Sequence, residues 1–219
     1  MIDALRESGH PTIAAANPLR GVAADAAAIG DLVRTIDDPV VLVGHSYGGS
    51  VISNVDPSVG KIAALVYVAA FAPEAGESCL TLSGMFPGST LGEALRPVPR
   101  GDGTTDLYIR PELFGEQFAA DVPPAAAARM AAAQRPVTQE ALVEPSGDRP
   151  LWRQLPCWFA WGDEDRNIPA ALQRHMAARA GAIRTLAIGG ASHAIGVSQP
   201  GAVAELVLEA AHAGAVATR

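Results

Sequence analysis

The segment Val43-Gly44-His45-Ser46-Tyr47-Gly48-Gly49 admits one kind of local structure. Four apolar residues, Val40 to Val43, lead into it and read as a strand buried on both faces. Ser50-Val51-Ile52 after it is compatible with a helix. Gly44-His45-Ser46-Tyr47-Gly48 fits G-x-S-x-G, a sharp strand-to-helix turn. Small residues two before and two after the serine let strand and helix approach closely, so that the Ser46 side chain projects alone. Such a turn is strained, and we expect Ser46 in an unfavourable backbone conformation. Free N–H groups at the start of the following helix, the Tyr47 N–H among them, are placed to stabilise an oxyanion.

The rest of the pattern supplies a sheet for that turn. Thr12–Ala16, Val40–Val43, Leu65–Ala69 (within the apolar run 63–70), Cys157–Trp161 and Thr185–Ile188 read as strands. Met1 to Gly9 reads as the tail of an amphipathic helix. Leu19, Val22, Ala26, Ile29, Val33 and Ile36 recur at helical spacing, and 170–180 and 202–211 are helical. Strands alternating with helices predict an α/β fold, a mostly parallel sheet flanked by helices. The stretch from Glu74 to Arg149 breaks the alternation. It is rich in proline and carries Gly101-Asp102-Gly103 and an alanine-rich helix around 125–133. We expect one domain over residues 1–219 with a small lid inserted at about 74–150, a length in keeping with single domains of ~200–250 residues.

Composition narrows the partners. The chain is 49% hydrophobic and 18% charged, enough apolar residue to bury a sizeable core. Its net charge is −7, Lys61 is its only lysine, and no cationic run appears, so nucleic acid is not an expected partner. No apolar run reaches membrane-spanning length, and the acidic start carries no signal-peptide pattern. Cys79 and Cys157 match no disulfide or metal framework and read as two reduced thiols in a cytoplasmic protein.

A serine hydroxyl needs a base. Of five histidines, His10 precedes the first strand, His45 should point away from Ser46, and His175 and His212 lie in helices. His193 follows the last strand in Gly189-Gly190-Ala191-Ser192-His193, a loop at a strand's carboxyl end where open α/β sheets place their sites. The acid that orients it should come from Gly162-Asp163-Glu164-Asp165. We choose Asp165, which reaches beyond the strand end, with Asp163 as the alternative.

These stretches resemble the α/β-hydrolase superfamily and, within it, a small esterase-like branch that includes methyl-ester esterases and hydroxynitrile lyases. The resemblance is carried by Pro39 to Gly49, Leu65 to Pro73, Asp165-Arg166-Asn167-Ile168-Pro169 and Ala191-Ser192-His193, and it spans nearly the whole chain. It implies the triad Ser46, Asp165 and His193, no cofactor, no metal, and a lid after the strand at 65–70. The substrate it implies is a small, neutral or aromatic ester. Lyases of this branch carry a lysine after the histidine, where this chain has Ala194. A third possibility is a non-catalytic small-ligand-binding member of the fold. Members of the superfamily usually begin with an apolar strand ending in His-Gly, whose loop gives a second oxyanion donor. No His-Gly precedes the elbow here. The resemblance therefore predicts a sequence that begins late or a sheet closed in another way, with that donor lacking. The lid's Met85, Phe86, Leu91, Tyr108, Leu113, Phe114, Phe118 and Met130 are candidates to line an apolar acyl pocket or to pack the lid itself.

Overall fold

The computed structural model describes residues 1–217. Helices α1 (Ile2–Glu7) and α2 (Val22–Val33) precede strand β1 (Val40–Ser46), which turns at once into α3 (Tyr47–Ser53). Strand β2 (Ile62–Ala70) leads into the insertion, with α4 (Cys79–Ser83), α5 (Leu91–Ala94), β3 (Leu95–Pro99), β4 (Thr105–Ile109), α6 (Pro111–Phe118), α7 (Pro124–Ala133), β5 (Val137–Thr138) and α8 (Gln139–Val143). The main sheet resumes with β6 (Cys157–Gly162), then α9 (Ala170–Arg179), β7 (Arg184–Ile188), α10 (Ile195–Ser198) and α11 (Pro200–Ala217).

Strands β1, β2, β6 and β7 lie side by side in that order, every pair parallel. Their shared direction puts the ends of β1, β6 and β7 on one edge of the sheet, which is what brings distant residues together. The period-2 alternation of a strand sorts the side chains into two cores. Leu65, Tyr67, Phe159 and Trp161 pack on one face with residues of α2, α3 and α9. Ala64, Val66, Val68, Trp158 and Ala160 pack on the other with α1 and α11. Both faces of β2 and β6 are thus covered, and these strands are apolar almost throughout. The insertion between β2 and β6 forms a second, antiparallel sheet, β3-β4-β5, and a core of its own with α6 and α7. Among the described residues no helix is long and apolar enough to cross a membrane.

The expected strand at Thr12–Ala16 is not formed. Residues 10–19 carry no regular structure, and Ile13 is 59% exposed. A strand exists only where a neighbour takes its backbone groups. Among the described residues β1 pairs with β2 alone and its other edge is open, so nothing hydrogen-bonds to 12–16 as a ladder.

Candidate active site

The elbow is built as its sequence dictates. Ser46 has φ 54° and ψ −124°, a left-handed conformation that side chains other than glycine rarely adopt. Gly44 is required, because a Cβ there would lie 2.6 Å from the Gly48 carbonyl oxygen. On the helix side the close approach falls one residue later than the motif suggests. A Cβ at Gly48 meets nothing within 4 Å, whereas one at Gly49 would lie 2.2 Å from the Phe71 carbonyl oxygen. Gly49 therefore lets α3 settle on the end of β2.

The buried Tyr47 fixes the turn from the helix side. Its hydroxyl donates to Asp25 Oδ2 at 2.9 Å, and burial, then that bond, keep the phenol well above its usual titration range. Asp25 is fully buried on α2 and also accepts the Arg20 backbone N–H at 3.1 Å. As the first residue of α3, Tyr47 has a backbone N–H with no intrahelical partner.

Asp165 and His193 come together although 28 residues apart. The Asp165 Oδ2 lies 2.8 Å from His193 Nδ1, and both side chains are fully buried. Asp165 is held from every side. Its Oδ1 accepts the backbone N–H groups of Asn167 (2.8 Å) and Ile168 (2.9 Å), and its Oδ2 also accepts Gln173 Nε2 (3.0 Å). Asp163 faces the other way and is exposed, its Oδ1 accepting the Gly190 N–H. The base loop runs close over β6, since a Cβ at Gly162 would lie 2.1 Å from the Ala191 carbonyl oxygen.

The last link of the expected relay is not made. His193 Nε2 is buried without a hydrogen-bond partner, so the Ser46 hydroxyl is not bonded to it. The hydroxyl rotates about one bond, and such contacts are often long before a substrate closes the site.

His45 stands against the His193 loop. Its ring centroid is 4.7 Å from that of His193, its Nε2 donates to the His193 carbonyl oxygen at 3.0 Å, and Phe118 lies edge-on to both rings. Burial among these rings, then the proximity of His193, push its pKa down, to about 4. His45 as a whole residue is nevertheless exposed, which softens that push.

The other histidines stay apart from the site. His175 is exposed against Phe86, and His10 meets the exposed His212. Of the lid residues named from sequence, Phe118 reaches the base, Phe114 stacks behind it, and Met85 is exposed. Cys79 and Cys157 are unpaired and buried, which pushes their thiols up to about 12 and about 11. Among the described residues no group of three or more His, Cys, Asp or Glu is placed to hold a metal ion. Sequence reasoning missed Asp25 and Gln173, helix residues without a motif around them.

Residues 5–206 match the model of a family described as "Alpha/beta hydrolase family". A carbendazim hydrolyzing esterase of Nocardioides sp. (strain SG-4G) is 56% identical over 46 residues, which is 20% of this chain and 19% of that protein. The aligned part is thus about a fifth of that relative's length. The crystal structure of polyneuridine aldehyde esterase superposes with a TM-score of 0.74 at 20% identity, covering 94% of this chain and 90% of its own. A pyrethroid hydrolase from Sphingobium faniae JZ-2 gives 0.71 at 21%, covering 98% and 91%. At these identities the two structures show a shared fold.

Proposed function

The chain belongs to the alpha/beta hydrolase family, and on that premise we propose that it is a serine esterase acting on small, neutral, apolar or aromatic carboxylic esters. The observation that carries the reading is a strained Ser46 on the same sheet edge as a fully buried Asp165–His193 pair. In this reading the Ser46 hydroxyl attacks the ester carbonyl and His193 Nε2 takes its proton. Asp165 holds the Nδ1–H and stabilises the imidazolium that forms. The Tyr47 N–H receives the developing oxyanion. His193 returns the proton to the leaving alcohol, and water then releases the acyl group from Ser46 by the reverse sequence. No cofactor enters these steps.

Phe118 beside His193, with the apolar lid core behind it, supports a neutral, apolar acyl or alcohol group. The names of the similar proteins, two esterases and a pyrethroid hydrolase, point to the same reaction class. Two unpaired, buried thiols fit a reducing compartment such as the cytoplasm. The unmade Ser46–His193 bond favours a second reading, a member of the fold that binds a small ligand without turning it over.

Turnover decides between them. Short 4-nitrophenyl esters should be hydrolysed by the wild-type chain. Ser46→Ala should leave only the residual ~10³–10⁴-fold over water typical of a site missing a triad member. A folded wild-type chain that is no faster than Ser46→Ala would favour the binding protein.

A further inference from the structure

The loops that carry Asp165 and His193 are both fastened to one short piece of the lid, residues 117–121. Gln117, at the end of α6, is buried, and both its amide nitrogen and its amide oxygen are hydrogen-bonded. Its Nε2 donates to the Arg166 carbonyl oxygen at 2.9 Å and to Asn167 Oδ1 at 2.7 Å. Its Oε1 accepts the Thr90 hydroxyl at 2.8 Å, and the Thr90 N–H donates to the same Arg166 carbonyl at 3.0 Å. Asn167 in turn gives its N–H to Asp165 Oδ1. The next lid residue, Phe118, packs its ring edge-on against His193 at 4.7 Å. On the far side of the base the Ser192 hydroxyl lies between the Asp121 carboxylate and the Phe118 carbonyl oxygen. Ala194, directly after the base, is part of the lid's own apolar core.

We infer that Gln117 is a positioning residue for the Asp165–His193 pair, holding the acid loop in the register at which Asp165 meets His193. The inference rests on the serine-hydrolase reading for its consequence in turnover, and on the geometry alone for its consequence in the pair. A carboxylate aims at an imidazole only as well as its loop is fixed, and catalytic groups tolerate little misplacement. The acid loop is short. Asp165 is tied to it through the backbone N–H groups of Asn167 and Ile168, and the Arg166 carbonyl, in the same peptide group as the Asn167 N–H, is gripped by Gln117 and Thr90. Removing the amide donor leaves that carbonyl to the Thr90 N–H alone and leaves Asn167 Oδ1 without its donor.

The test uses the full chain with 4-nitrophenyl butyrate, and proton NMR of the His193 Nδ1–H shared with Asp165, a resonance that should lie far downfield. Gln117→Glu keeps the shape and the acceptor for Thr90 but loses the amide donor, and Gln117→Ala removes both. Each should lower kcat by roughly tenfold, the order expected from losing hydrogen bonds of this kind, with KM within about twofold. Each should also move the downfield resonance upfield or broaden it. Thr90→Val, an exposed and mild change, should give a smaller effect of the same sign in both measurements. If the Gln117 variants do not fold, Thr90→Val is the variant that decides. Folded Gln117 variants with wild-type kcat and an unmoved resonance would overturn the inference, even with a lowered melting temperature. So would a Thr90→Val chain unchanged in both measurements if it alone folds. If the wild-type chain hydrolyses no ester, the function reading fails by itself, and the resonance still decides whether Gln117 sets the pair.

Discussion

His45 donates from Nε2 to the carbonyl of the residue read as the base, so the residue before the nucleophile helps to hold the loop of the residue that would activate it. Its depressed pKa has a consequence for stability. In the unfolded chain an imidazole takes up a proton near its ordinary value of 6.5, whereas in the fold desolvation and then the neighbouring His193 lower the His45 value, to about 4. Between those limits the unfolded state binds more protons, so stability is lost as pH falls from 6.5 towards 4. His45→Gln keeps a donor in reach of the His193 carbonyl and removes the titration. Urea midpoints at pH 7 and pH 5 should fall less for His45→Gln than for the wild type, and equal falls would contradict this role. The Asp165–His193 contact was legible because residue type, motif and chain order restrict those positions, whereas the expected Ser46–His193 bond is not made. The contact of His45 with the His193 loop was not legible, because alternation along a strand does not say what a folded-back loop brings against it. Gln173 and Gln117 were illegible because a glutamine on a helix carries no motif, and its meaning arises only from the loop packed beside it.

The elbow is the element that the sequence described best, and its two helix-side glycines can be tested separately. Gly49→Ala forces a Cβ into the Phe71 carbonyl and should cost at least the ~1–3 kcal/mol of an overpacked core. Gly48→Ala meets open space and, lying in α3, should be neutral or stabilising by up to ~1 kcal/mol. Thermal unfolding of the two variants reads this directly, and a Gly49→Ala melting point equal to that of Gly48→Ala would mean that the turn is looser than described. The strands in the middle of the sheet were equally legible, since β2 and β6 are apolar on both faces. Thr12–Ala16 was not, for a physical reason. Its composition suits a strand, but strand formation depends on a partner's backbone, and a one-dimensional pattern does not show whether that partner is present. The lid's small antiparallel sheet was missed too. Prolines at 97 and 99 weaken a strand pattern, yet β3 lies at a sheet edge, where proline is tolerated.

Across the whole molecule, one sheet edge and one lid segment do the assembling. The parallel strands bring the Ser46 turn, the Asp165 loop and the His193 loop to the same end, and residues 117–121 fasten the last two from above. At the other side of the lid, Thr138 bonds to the backbone of Leu19 and Arg20, and Arg20 pairs with Asp106. Arg20 also gives its N–H to Asp25, which holds Tyr47. The lid therefore reaches both the proposed oxyanion donor and the acid–base pair. All of this serves one claim, that Ser46 becomes acylated. Intact-mass spectrometry after brief exposure to 4-nitrophenyl acetate at low pH, with peptide mapping, tests it most directly. The expected result is one acetyl group per wild-type chain, on the peptide containing Ser46, and none on Ser46→Ala. A folded wild-type chain that takes up no acetyl group, or a Ser46→Ala chain that takes it up equally, would contradict it.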